Sequence, residues 1–323
     1  MSALLNKRLA RSLWRSKLRL FAVIFMVSVG VFAGLTFGGY SHNLSGMYDT
    51  MHADDDDGAN LADLWIDNRS TTWSAEQVAN FCQHLTDNWD LSAHDLDSCE
   101  GRNIIPGAMF FDDDGEDRII NSLWHGIAPT ANSDRVWMPD GHSGGRLAVA
   151  DDEIVIDAHV MEPLELNLGD TITIGAGSSS AEFSIVGYGY HPVHIFMAPE
   201  GSVFPPEAGE YVVGYLSESG MARLTGNDLG ASNTLLLDVQ GTPSFDLPDT
   251  NEYEGKEIDA IKLQVEDSLT ATQLDARQRD RGQNEQVEIM RQDLEASKRM
   301  ATPFTVMILS LIHISEPTRP LRI

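Results

Sequence analysis

Lysine is scarce in this chain, with five in 323 residues, and positive charge of any kind is short beyond the first 19 positions. Residues 41–300 carry 48 acidic side chains against 14 basic ones, a balance of −34. Phosphate recognition rests on Lys and Arg, so a surface of this sign excludes nucleic acid as a partner. Two readings fit the charge. One is adaptation to high salt, where the Debye length shrinks to about 3 Å at 1 M; the other is an ordinary acidic extracellular domain.

The motifs of familiar chemistry are missing too. No G-x-x-x-x-G-K-[ST] phosphate loop occurs, and Gly144-Gly145-Arg146 lacks both the lysine and a following helix. There is no G-x-S-x-G elbow and no H-E-x-x-H zinc helix. No catalytic residue and no cofactor is therefore assigned, and the chain is not expected to be an enzyme. His191 and His194, in YGYHPVH, are the best metal candidates, but Pro192 denies them helical geometry and no cysteine joins them, so no metal site is expected. The four aspartates 54–57 lack the alternating ligands and closing Glu of a calcium loop and read as solvated linker.

Long apolar runs are equally rare, and one organises the chain. Six basic residues (Lys7, Arg8, Arg11, Arg15, Lys17, Arg19) precede a stretch that stays uncharged from Leu20 until Asp49. A bilayer-crossing helix needs about 20 mostly apolar residues, and FAVIFMVSVGVFAGLTFGG supplies them. A cleaved secretory signal would have a shorter core, about 7–15 residues, and a small-residue cleavage site. Residues 1–19 thus read as a cytoplasmic basic segment, 20–40 as a transmembrane helix and 41–58 as a linker, with the main domain outside the membrane.

Cysteine occurs twice, at Cys82 and Cys99, both in the part placed outside. An even count in an oxidising compartment points to a bridge, with two buried free thiols as the alternative. Asn43-Leu-Ser and Asn68-Arg-Ser are glycosylation sequons.

Residues 59–282 read as one α+β body. LADLWID is a strand, and a helix follows from Ser74, where Ser74 and Gln77 make a capping box and Val78, Phe81, Cys82 and Leu85 form one apolar stripe. A strand pair at 104–111 and 117–127 comes next, divided by DDDGED. A β-rich insert spans about 128–230: EIVID, a short helix AHVMEPLEL, strands around the Gly169-Asp170 turn, YVVGYL and a small helix SESGMARL. NTLLLDV, a helix to Leu269 and the charged strand LDARQRDR close a second strand–helix–strand unit. HIFMAPEGSVFPP, residues 194–206, reads either as an exposed tip for lipid or a partner or as a cap on the β-rich core.

Residues 283–300 form an amphipathic stalk with Val287, Met290 and Leu294 on its apolar face, running without a glycine break into ATPFTVMIL, so 301–308 read as the start of a second, truncated transmembrane helix. LSLIHISEPTR resembles the translation of a transposase adapter, and 309–323 are expected to be a non-native tail.

The segment R-S-L-W-R-S-K-L-R opening the first span, the external body with IVIDAHVMEPLELNLGDTITI and FSIVGYGYHP, and the returning stalk together resemble the FtsX-like, MacB-type permease family of ABC transporters, over residues 5–308. That resemblance implies a membrane permease that pairs with a separate or fused ABC ATPase. It also implies a homodimer or heterodimer of permeases in membrane lipid that carries ATP-driven motion to an external domain, for export, lipoprotein release or mechanotransmission. The family's remaining spans and its ATPase-coupling helix are absent here, so this chain by itself is expected to be incapable of coupled transport. The alternative is a membrane-anchored extracellular binding or adhesion module. Neither reading identifies a substrate.

Overall fold

The computed structural model describes residues 17–53, 58–91, 95–113, 116–138, 144–195, 199, 202, 206–240 and 256–315. The basic residues up to Arg15, the aspartates 54–57, most of 196–205 and the end of the chain from Glu316 lie outside them. The chain divides into two compact units, Tyr48–Arg291 and Met1–Met47 with Gln292–Ile323.

Helix α1 (Lys17–His52) is apolar around its circumference, and Phe21, Ile24, Phe25, Phe32 and Leu35 are all exposed. Its window Ile24–Met51 has a mean hydropathy of 1.5 and is long and apolar enough to cross a bilayer. At 36 residues the helix is about 54 Å long, well beyond the roughly 30 Å hydrocarbon core. It also runs on to His52, through residues whose polarity suggests a linker. The reason is periodicity: Leu44, Tyr48 and Met51 recur at i, i+4 and i+7 and all three are buried.

The body is mixed α+β, as its sequence pattern suggests. β1 (Leu64–Asn68), α2 (Ala75–Asp87) and β2 (Leu96–Asp113) form the first strand–helix–strand unit. β8 (Thr234–Val239), α4 (Lys256–Thr272) and β9 (Ala276–Asp280) form the second. Their strands interleave in the order β2-β8-β1-β9, every neighbour antiparallel, which is the ferredoxin-like split arrangement. Alternation along β1 and β8 buries both faces. Leu64, Ile66, Leu235 and Leu237 meet Phe81 and Leu85 of α2 and Ile261 and Val265 of α4. Trp65 and Leu236 point the other way, onto Leu61, Ala62 and Val287. At the start of α2 both halves of the capping box are made: Ser74 Oγ accepts from the Gln77 N–H at 3.2 Å, and the Gln77 side chain accepts from the Ser74 N–H at 2.9 Å.

Between β2 and β8 lies a closed barrel. β3 (Glu116–Gly126), β4 (Glu153–Asp157), β5 (Thr171–Ala176), β6 (Ser179–Gly189) and β7 (Tyr211–Leu216) join the second half of β2 in the ring β2-β3-β7-β4-β6-β5. β2 therefore belongs to both sheets: its first half pairs with β8, and from Asn103 it pairs with β3. Met109, Trp124, Ile154, Ile174, Phe183 and Val212 fill the interior. The Trp124 indole N–H donates to the Gly175 carbonyl at 3.0 Å, and a Cβ at Gly107 would collide with both groups. The short helix expected in AHVMEPLEL shrinks to one 3₁₀ turn, Ala158–Val160, because Pro163 has no N–H and disfavours helical geometry at Glu162. α3 (Glu218–Thr225) closes the barrel section, and α5 (Glu285–Ser315) follows β9.

Candidate functional site

One end of the barrel gathers three histidines from two distant stretches of the sequence. His125 stands near the end of β3, and His191 and His194 lie on the segment that follows β6. They are 3 %, 2 % and 7 % exposed. Ring centroids are 4.9 Å apart for His125 and His191, 4.8 Å for His125 and His194, and 5.2 Å for His191 and His194. The His191 ring stacks on Tyr215 of β7 at 5.4 Å and 10°.

Hydrogen bonds order these rings. His194 and His125 face each other through their Nε2 atoms at 2.8 Å, so one donates to the other. His191 Nδ1 accepts from the Val193 N–H at 3.2 Å, which leaves its proton on Nε2. His194 Nδ1 has no hydrogen-bond partner among the described residues. Beside the rings, Tyr215 donates its hydroxyl to Asp157 Oδ2 at 3.1 Å, and Asp157 Oδ1 lies 2.7 Å from Nδ1 of His159, at the barrel's rim.

Burial sets the charge state. Desolvation, the largest cause, holds His125 and His191 well below the ordinary imidazole range, and Arg102 and the neighbouring rings push in the same direction. Desolvation brings His194 down to about 4, partly offset by the Asp157 charge. At neutral pH all three rings are uncharged. Arg102 itself is 2 % exposed, with Nη2 3.8 Å from Glu100 and donating to the Ser133 carbonyl. Asp134 accepts from the Ala62 N–H at 2.9 Å and the Trp65 indole at 2.8 Å, which ties the stretch after β3 to β1.

A cavity of about 110 Å³ opens against the cluster. All three histidines line it, with Trp65 and with Asn284 and Gln286 at the start of α5. Asn284 Oδ1 accepts from the N–H groups of Gln286 and Val287 and so caps that helix.

Two nitrogen ligands on one tetrahedral zinc ion sit about 3.3 Å apart at Zn–N distances near 2.0 Å. The Nε2 atoms of His125 and His194 are hydrogen-bonded instead, and among the described residues no group of three His, Cys, Asp or Glu side chains is placed to hold a metal. Sequence reasoning found His191 and His194 but missed His125, 66 residues earlier on a strand whose alternation gives it no special mark.

The other sequence-derived positions fall elsewhere. Cys82 on α2 and Cys99 on β2 are joined in a disulfide with Cα atoms 5.7 Å apart. Val287, Met290 and Leu294 are 4 %, 1 % and 1 % exposed, and Val287 packs with Trp65 and Leu236. Arg146 pairs with Glu153, whose carboxyl is held at about 2 by that guanidinium. Asn68 turns its carboxamide oxygen onto the N–H groups of Ser70 and Thr71. Ile195 is half-buried, and Phe196 and Met197 lie outside the described residues.

No protein-family model and no curated protein matches the sequence. The solved structures do include neighbours. Two of them are external regions of larger proteins. One is the periplasmic region of MacB from Actinobacillus actinomycetemcomitans, with a TM-score of 0.40 and 11 % identity over 72 % of this chain and 92 % of that one. Another is the extracellular domain of the noncanonic ABC-type transporter YknZ from Gram-positive bacteria, with a TM-score of 0.35 and 11 % identity over 68 % of this chain and 98 % of that one.

Proposed function

We propose that this chain is part of a permease subunit of an FtsX- or MacB-type ABC transporter, in which an external body receives motion generated by a separate ATPase. The observation that carries the reading is the chain's path. A 36-residue apolar helix precedes the body and a 31-residue helix follows it, and the two outer segments belong to one compact unit. α5, whose first turn is bound into the body by Val287, can transmit displacement along its axis.

In this reading the N-terminus is cytoplasmic, because the six basic residues before Leu20 stay on that side, and residues 301–308 begin a second span. The Cys82–Cys99 bridge then lies in the oxidising exterior. The subunit contributes no chemistry of its own: ATP hydrolysis belongs to the partner, and the permease acts as a homodimer or heterodimer in lipid.

Affinity purification, from native membranes, of the full protein that carries this sequence is the test. An ABC ATPase should co-purify in stoichiometric amount. Recovery of the intact protein with no ATPase would overturn the proposal and leave a membrane-anchored binding module in its place.

A further inference from the structure

The histidine cluster takes no part in the proposed transmission, yet it is built at a mechanically sensitive place. Residues 191–194 bridge two parts of the body. His191 and His194 are buried against His125 of β3 and Tyr215 of β7, while Val193 packs against the group formed by Leu61, Trp65, Leu236 and Val287. Val287 belongs to the first turn of α5, and that helix's cap, Asn284, shares the cavity with all three rings. Displacing residues 191–194 removes the support on one side of that turn.

We propose that residues 191–194 act as an acid-released wedge: proton uptake at the His125–His194 pair withdraws the segment and loosens the first turns of α5 from the body.

The chemistry follows from what faces the pair. β3 contributes His125 itself, β7 contributes Tyr215 and Tyr211, and β4 contributes Asp157. β2 contributes Arg102, the stretch after β3 contributes Asp134, and Arg279 of β9 and Glu285 of α5 line the same cavity. Arg102 disfavours charge on His125 and His191, and Asp157 favours it on His194, so His194 accepts the first proton. Where His194 donates through Nε2, the incoming proton goes to its partnerless Nδ1 and makes it a buried cationic donor; where His125 donates, the proton takes up the His194 Nε2 lone pair and breaks that bond. A neutral hydrogen-bonded pair becomes a buried charge, and exposing that charge to water becomes favourable.

The direction with pH is fixed. The folded imidazole titrates at about 4 and a solvated one near 6.5, so the closed wedge is undisturbed above about pH 6.5 and progressively disfavoured as pH falls toward 4. One such proton predicts an opening equilibrium on the order of 20-fold larger at pH 5 than at pH 7.

Hydrogen exchange on the full chain in detergent, corrected for the intrinsic pH dependence of exchange, reads this directly. Protection of residues 285–291 should fall on the order of 20-fold between pH 7 and pH 5. His194→Gln should abolish that response, and His84→Gln, on α2, should retain it. Equal protection at both pH values in the wild type, or an unchanged response in His194→Gln, would overturn the proposal. Should His194→Gln fail to fold, imidazole NMR of the wild type decides: a His194 still neutral at pH 5.5 supports the wedge, and a midpoint near 6.5 overturns it.

Discussion

The barrel and the open sheet each bury a polar cluster, and the two have solved the same problem in opposite ways. At the barrel's end the three histidines are bases kept neutral by burial. In the open sheet the group is an acid. Asp238 on β8, 8 % exposed, accepts from the Asn60 side chain at 2.8 Å, and burial, with Asp63 adding to it, raises its carboxyl to about 7. Arg281 stands 3.3 Å from Asp63 and donates to the Ala62 carbonyl at 3.0 Å. Desolvation removes charge in both places, but acid favours the folded carboxyl and disfavours the folded imidazoles. The Asp238 contribution is complete below about pH 4 and is lost as pH rises through about 7, whereas the histidine contribution is complete above about 6.5 and lost below it. Global stability between pH 4 and 7 is therefore a partial cancellation, and only local or variant-specific measurements separate the halves.

The largest expected effect tests the cation that stands beside Asp63. Arg281→Met leaves Asp63, 1 % exposed, buried beside Asp238 without its cation, and should cost about 3–5 kcal/mol in urea unfolding. Next comes the staple. Converting both Cys82 and Cys99 to Ala should cost about 3 kcal/mol, while leaving the acid response at residues 285–291 intact because the bridge lies on the opposite face of the open sheet from Val287. A third variant sharpens the contrast in sign. Asp238→Asn should gain on the order of 2 kcal/mol relative to wild type as pH is raised from 4 to 6, and an unchanged pH profile would mean that Asp238 is already ionised in the folded protein. The smallest is Ser74→Ala, which removes one half of the capping box and should cost about 1 kcal/mol by thermal melting.

The open sheet was the half that its residues announced. Ser74 and Gln77 mark the start of α2, Phe81 and Leu85 mark its buried face, and NTLLLDV reads as a strand, which the structure buries on both sides. The barrel was visible as a run of short strands but not as a closed ring. Its closure depends on parallel pairing of β3 with β7 and β4 with β6, which no local pattern encodes, and on an 18-residue β2 that continues straight through Pro106 and Gly107. Those two residues normally punctuate a strand. Here Gly107 is required by the Trp124 indole that crosses above it. The site divides in the same manner: the short spacing of His191 and His194 drew notice, and the long-range partner His125 could be supplied only by the ring.

All of the functional reading rests on the acidic body lying on the far side of the membrane from the N-terminus. Protease added to intact cells or right-side-out vesicles measures this most directly. Cleavage between residues 58 and 284 before lysis is the expected result; a body that stays intact until the membrane is broken, and is cut only then, would contradict it.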